Sequence, residues 1–362
     1  MKYLSLVFAL VIYNFCSGQI LDTPPPSNYQ KEVDSVNAKA FRFMLKEKIP
    51  GMAISISRHG ELFFSKGFGV SNLKLNRAVS AENTLFRIAS ISKSITALAM
   101  AKLVDKGKLN FEESIYTYLP KYPKKKYDFT VKQVAGHIAG IRHYIGGEFI
   151  LNKKISITEG LEIFKNDSLK FEPGTGYSYS TYGWNLLSEV VQKLTKQPFD
   201  VFVKSSIFEP LKMKNSLLEY SDSILPNKTE FYRKTNDGTI VIGPEVNNEF
   251  KAAGGGFLST SNDLILFGNE IINPTIINKS TVTKLVTSLK TNDGKDTGYG
   301  IGFVTNKSKN NTPRYSHSGG GIGATTLLLM YPEENLVIVI LTNLSNVKIK
   351  DFGNELEGIF LN

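Results

Sequence analysis

Apolar residues recur at helical spacing from Tyr29 to Lys48, where Val33, Val36, Ala40, Phe43 and Met44 share one face. The pattern then changes period. Met52 to Ser57 alternates and Glu61 to Val70 is apolar and aromatic, with Arg58-His59-Gly60 between them as a turn. That arrangement predicts a β-hairpin, with His59 as part of its turn. Ser90 to Lys106 is mostly apolar on all sides and stops at Gly107, which predicts a buried helix. From there to about Lys251 the chain reads as helical segments joined by long loops, with Ile157 to Lys165 and Tyr182 to Lys196 the clearest helices. The final third returns to strands. Ala253 to Leu258 leads into a helix near Asn262 to Ile271, and Gly298 to Val304, Thr325 to Met330 and Leu336 to Leu341 read as strands. Pro332 to Asn335 turns the last two onto each other, and Lys348 to Phe360 reads as a closing helix. Strands at both ends and helices in the middle predict an α+β fold. An antiparallel sheet assembled from both ends of the chain is flanked by the terminal helices, with a mostly helical lobe inserted.

The first residues stand apart. Lys2 precedes a short apolar run, Tyr3 to Phe15, and small residues follow at Cys16-Ser17-Gly18. This is the pattern of a secretory signal peptide over residues 1–18, cut after Gly18, and it predicts an exported protein, periplasmic or secreted. A lipid anchor on Cys16 is the less favoured alternative, because Tyr13-Asn14-Phe15 are bulky. Residues 19–28 carry Pro24-Pro25-Pro26 and read as a stiff tether. The remainder, 29–362, reads as one catalytic domain, with an α/β lobe from 29–106 plus 252–362 and a helical lobe from 107–251. No later stretch reaches the length of a transmembrane helix.

Cys16 is the single cysteine of 362 residues, so an intramolecular disulfide and a thiolate zinc site are excluded. The four histidines, His59, His137, His143 and His317, form no HExxH pair, and no metal or organic cofactor is expected. The net charge is +10, densest at Lys121 to Lys126, which reads as a solvated loop because no nucleic-acid motif accompanies it. The basic surface fits anionic envelope polymers only loosely. Glycine runs at Gly254 to Gly256 and Gly319 to Gly321 match neither a dinucleotide nor a P-loop cradle, and no G-x-S-x-G occurs.

S-x-x-K occurs at Ser71/Lys74, Ser90/Lys93 and Ser345/Lys348. Ser71 leaves a strand in a polar stretch, and Ser345 precedes the last helix at an exposed point. Only Ser90 opens a helix that must be buried, with Ile91, Ile95, Leu98, Ala99 and Leu103 behind it. Lys93 lies one turn on and shares a face with Ser90. Burial favours the neutral amine, which can accept the serine proton, and the helix N-terminus favours negative charge at Ser90. These are the requirements of an activated serine nucleophile. Tyr177-Ser178-Tyr179-Ser180-Thr181 after Pro173-Gly174-Thr175-Gly176, and His317-Ser318-Gly319-Gly320 before a strand, are candidates for its partners; alone, Tyr179 reads as a loop aromatic and His317 as a surface histidine.

Together these segments resemble the serine beta-lactamase and penicillin-binding superfamily, in its class C beta-lactamase-like branch. The likeness covers nearly all of the chain after the leader. It rests on Phe86 to Lys93, His137 to Ile141, Pro173-Gly174-Thr175, Ile207 to Met213, Gly254 to Thr260 and His317 to Gly320. Ala139 to Tyr144 with Tyr179-Ser180-Thr181 is most similar to the mitochondrial serine beta-lactamase-like proteins and their bacterial relatives. The resemblance implies that Ser90 is acylated, Lys93 accepts its proton and Tyr179 carries the proton to the leaving group and activates the deacylating water. It also implies that His317 stands where a lysine is usual and that the backbone N–H groups of Ser90 and Gly320 form the oxyanion hole. Thr181, Ser318 and Gly319 fall in substrate-binding positions.

Two departures bear on the substrate. Thr181 replaces an asparagine and His317 replaces a lysine that helps hold the carboxylate of beta-lactams, so an ester, a peptide or a peptidoglycan-related amide is the expected substrate. A true beta-lactamase or D-alanyl-D-alanine carboxypeptidase is the alternative among enzymes, and a non-catalytic binding or filament-forming protein the alternative outside them. Lys93 and Tyr179 have free pKa values near 10, so catalysis near pH 7 requires a drop in one of them through burial or nearby positive charge. Of the other residues singled out, His137 is expected to bond the backbone of its own loop. Arg142, His143 and Tyr144 are candidates for the site mouth, Trp184 should pack the helical lobe and Asp263 should cap or start its helix. Oligomerisation is left open by the sequence.

Overall fold

The computed structural model describes residues 29–361. The leader and the proline tether lie outside the described residues.

Seven strands form one antiparallel sheet. β1 (Gly51–Arg58), β2 (Glu61–Asn72) and β3 (Arg77–Ala78) come from the first part of the chain, and β4 (Val304–Lys307), β5 (Pro313–Gly321), β6 (Ala324–Tyr331) and β7 (Leu336–Thr342) from the last. Their spatial order is β3-β2-β1-β7-β6-β5-β4. The two halves join where β1 pairs with β7 from Met52↔Thr342 to Arg58↔Leu336. The sheet is therefore assembled from both ends of the chain.

The alternation of side chains sorts each strand onto two faces. Ile54, Ile56, Leu327, Leu329, Ile338 and Ile340 point to α1 (Gln30–Glu47) and α5 (Ile349–Phe360). Ala53, Leu328, Met330, Val337, Val339 and Leu341 point the other way, to α2 (Ile91–Asp105) and α4 (Ser261–Ile272). α3 (Thr181–Thr195) joins that second core from the helical segment. α1 and α5 meet through Phe43 and Phe352, whose rings stack at 4.3 Å. Phe352 is 1% exposed. Phe352→Ala should therefore lower stability by about 3–5 kcal/mol, the range for emptying a buried aromatic site. The check is a urea unfolding midpoint that falls with an unchanged slope.

One predicted strand is corrected. Gly298 to Val304 is not a strand, and β4 begins only at Val304. Gly298 and Gly302 have φ of 66° and 82°, which no extended strand contains. His317 to Gly320 precedes the strand β6, as expected, and itself lies inside β5, which had no sequence expectation. Ile157 to Lys165 is helical only as two short pieces, Ile157–Gly160 and Leu161–Ile163, and the helix Lys279–Val286 had no sequence expectation. Lys121 to Lys126 is not simply solvated. Lys124 sits 3.6 Å over the Tyr116 ring and Lys125 donates to the carbonyls of Lys165 and Asp167.

Candidate active site

Ser90 is placed by a small three-stranded sheet and a strained turn. Phe86–Arg87 pairs with Phe257–Ser259, which pairs with Leu217–Leu218. The Ile88 N–H continues the ladder to the Phe257 carbonyl at 3.1 Å. Ala89 then takes φ +46°, a left-handed conformation costly for a residue with a Cβ. The reversal presents Ser90 at the N-cap of α2. Its hydroxyl makes no capping bond, so Oγ is left for other partners. β5 passes close behind this turn. A Cβ on Gly319 would stand 2.3 Å from Thr326 Oγ1 and 2.4 Å from the Ile88 carbonyl, so only glycine fits.

Lys93 is completely buried on the first turn of α2. Its Nζ lies 3.0 Å from Ser90 Oγ, 3.2 Å from Thr181 Oγ1 and 2.5 Å from the Gly254 carbonyl. Among the described residues it has no carboxylate partner. Burial pushes its pKa well below the usual lysine value. The neutral amine can donate to the two acceptors Gly254 O and Thr181 Oγ1 and keep its lone pair for the Ser90 hydroxyl.

Tyr179 lies on the loop before α3. Its hydroxyl is in hydrogen-bond contact with Ser90, and Lys93 Nζ stands 5.1 Å from its ring centre. Burial pushes the phenol up, so Tyr179 holds its proton and the required drop falls on Lys93. Two histidines grip the loop on either side. The His137 carbonyl accepts from Ser178 N–H at 2.9 Å and its ring Nδ1 accepts from Ser180 N–H at 3.1 Å. His143 Nδ1 accepts from Thr181 N–H at 3.1 Å. The His137 ring also packs on Tyr179 at 4.3 Å between centroids. His137 thus bonds backbone, as expected, but the backbone is that of the Tyr179 loop.

His317 is 3% exposed and stands behind Tyr179, at 6.5 Å between rings. The Ser318 carbonyl can only accept, so His317 Nδ1 donates to it at 2.8 Å. Nε2 then accepts from the Tyr299 hydroxyl at 2.9 Å. Both nitrogens are committed, and no polar atom of this ring faces the cavity beside Ser90. His317, a candidate partner of Ser90, here holds Tyr299, whose ring packs against Tyr179. The surface reading of His317 is corrected.

A cavity of about 230 Å³ opens over Ser90, walled by Tyr179, Thr181, His143, Tyr144, Gly320 and Lys251 among others. His143 and Tyr144, both candidates for the mouth, are therefore at the site. Arg142 is not; it is held by Glu148 and Asp167. Gly320 faces the cavity, whereas Gly319 is buried and Ser318 lines a separate hollow beside α5. β4 pairs with β5 only from Pro313 to Ser316, which leaves the edge of β5 at 317–321 open toward Ser90. The sequence had singled out neither Gly254 for its carbonyl nor Lys251, because a carbonyl and an isolated lysine carry no pattern.

The remaining candidates have structural duties. Ser71 Oγ serves Arg77, and Ser345, buried rather than exposed, bonds Gly321 and Gly323. Trp184 is fully buried in the helical segment. Thr260, not Asp263, caps α4; the Asp263 carboxylate accepts from Asn215 N–H and Ser216 Oγ. Among the described residues no His, Cys, Asp or Glu cluster could hold a metal ion, and no helix is long and apolar enough to cross a membrane.

The buried histidines make the site sensitive to acid. Burial lowers His143 to about 4, His317 to about 3 and His137 well below its usual value. Unfolded histidines protonate near 6.5. Below that pH the unfolded chain binds more protons, so stability present above pH 6.5 is lost as pH falls toward 4 and then 3. The thermal midpoint should fall more steeply with pH below 6.5 than above it, and His317→Gln should show a shallower decline below 6.5.

Residues 36–357 match the model of the family described as Beta-lactamase. The human protein "Serine beta-lactamase-like protein LACTB, mitochondrial" is 27% identical over 86% of this chain and 74% of its own length. Penicillin-binding protein 4* of Bacillus subtilis (strain 168) is 27% identical over 78% of this chain and 66% of its own. Among solved structures, the octameric penicillin-binding protein homologue from Pyrococcus abyssi superposes with a TM-score of 0.79 at 24% identity, covering 91% of this chain and 77% of that one.

Proposed function

Because the chain belongs to the beta-lactamase family, we propose that it is an exported serine hydrolase that cleaves an ester or amide through an acyl-enzyme on Ser90. The observation that carries this reading is the Lys93 amine, fully buried without a carboxylate and 3.0 Å from Ser90 Oγ.

In the proposed reaction Lys93 takes the Ser90 proton as Oγ bonds to the substrate carbonyl carbon. The backbone N–H groups of Ser90 and Gly320 receive the developing oxyanion. Tyr179, protonated at rest, gives its proton to the leaving amine or alcohol as the scissile bond breaks, and takes the Ser90 proton back from Lys93. Water then attacks the acyl-enzyme, its proton passing through Tyr179 to the neutral Lys93 amine and from there to Ser90 Oγ as the acyl bond breaks and the acid product leaves. His137 and His143 fix the Tyr179 loop; His317 and Tyr299 back it. Peptide or peptidoglycan-related amides are the leading substrates and small esters the next. The signal-like first 18 residues support export.

The test is labelling with a fluorophosphonate probe followed by peptide mapping. One adduct per chain on Ser90 is expected. A folded protein left unlabelled would favour the non-catalytic role. Nitrocefin turnover separates a true beta-lactamase from an esterase or peptidase.

A further inference from the structure

Lys251 is 4% exposed and forms part of the wall of the cavity that contains Ser90. One N–H donates to the Phe149 carbonyl at 2.9 Å. The rings of Phe250 and Tyr144 lie 5.1 and 5.4 Å from its Nζ. Among the described residues no carboxylate pairs with it, and the charge acting on it is the like-signed Arg87. Arg87 also lines the cavity, but its charge is already paired: Nε and Nη2 go to Glu219 at 2.6 and 3.0 Å, and Nη1 donates to the Ile322 carbonyl at 2.9 Å.

A buried ammonium without a counter-ion is costly, because desolvation is not offset by attraction. Desolvation lowers Lys251 to about 8, which leaves it protonated near pH 7. Two of its three N–H donors have no protein partner. They match the two oxygens of one carboxylate, and a single positive charge matches a monoanion. From this arrangement we propose that Lys251 is a specificity-determining residue that receives a carboxylate carried by the substrate. The claim names the substrate class of the serine-hydrolase reading and rests on it for turnover, but not for binding.

The test uses three esters of similar length: mono-4-nitrophenyl glutarate, its methyl ester, and a 4-nitrophenyl ester ending in trimethylammonium. Binding is measured by calorimetry at pH 7 on the full chain carrying Ser90→Ala, which removes turnover. The glutarate monoester should bind about tenfold more tightly than its methyl ester, as one charge-assisted contact allows, with the cationic ester weakest. Adding Lys251→Met should bring the glutarate-to-methyl-ester ratio to about one, whereas Lys251→Arg should preserve its direction. A ratio that survives Lys251→Met overturns the proposal. So does equal binding of the anionic and neutral esters by the Ser90→Ala chain, a comparison that stands even if Lys251→Met does not fold. Failure of the hydrolase reading shows separately, as no acylation or turnover of any of the three esters by the unmutated chain while the binding order persists.

Discussion

Lys93→Met should lower kcat/KM for ester and amide substrates by roughly 10²–10⁴-fold, the range for losing a positioned base, while the protein becomes more stable rather than less. The activity loss follows from the geometry. Ser90 Oγ has one nitrogen base in contact with it, the Lys93 amine at 3.0 Å, and methionine fills a similar volume without a lone pair that can take a proton. The stability gain follows from the same burial. Lys93 must shed its proton, or hold it at high cost, when the chain folds. Methionine carries no such cost, although the Gly254 carbonyl loses a donor. The two effects are told apart by pH. The unfolded lysine binds a proton up to about pH 10.4, and the folded one releases it far earlier. Between those two limits the unfolded state holds more protons, so the unmutated chain gains stability as pH rises. The advantage of Lys93→Met should therefore be greatest near pH 7 and shrink toward pH 10. Thermal midpoints across that range, with fluorophosphonate labelling rates at pH 7, measure both. A variant that keeps the rate of the parent would remove Lys93 from the chemistry.

Lys93 was legible because it breaks a local rule. A helix apolar on every side has no place for a lysine on its first turn, and Lys93 is there. The sheet was legible for the opposite reason: its strands obey the alternation that a two-faced core imposes. What stayed hidden had no side-chain signature. Gly254 matters through its carbonyl. β5 was missed because a run of glycines at 319–321 carries no strand pattern, yet the glycine at 319 is what lets the strand pass against Ile88. The hydrogen bonds of His137 and His143 were beyond reach for another reason. Their partners are backbone N–H groups about 40 residues away, and such pairings leave no spacing in the sequence. The same holds for His317, whose partner Tyr299 sits in a segment that read as a strand.

Tyr179→Phe should separate substrates by their leaving groups. The phenol of Tyr179 is held protonated by burial and touches Ser90 through its hydroxyl. It is thus placed to give a proton, and an amine or alkoxide cannot depart without one. A 4-nitrophenolate can. Removing the hydroxyl should therefore lower kcat/KM for an amide or alkyl ester by roughly 10²–10⁴-fold and for the 4-nitrophenyl ester of the same acid far less. Deacylation also needs a proton taken from water, so acyl-enzyme formed from the nitrophenyl ester should accumulate, visible as a mass adduct on the intact chain. The substitution keeps the ring that packs on His137 at 4.3 Å, and the His137 and His143 bonds to the loop are made to backbone, so the loop should stay in place. If the amide and the nitrophenyl ester instead lost activity equally and no adduct built up, Tyr179 would be a packing residue. The proton would then have to reach the leaving group from Lys93 alone.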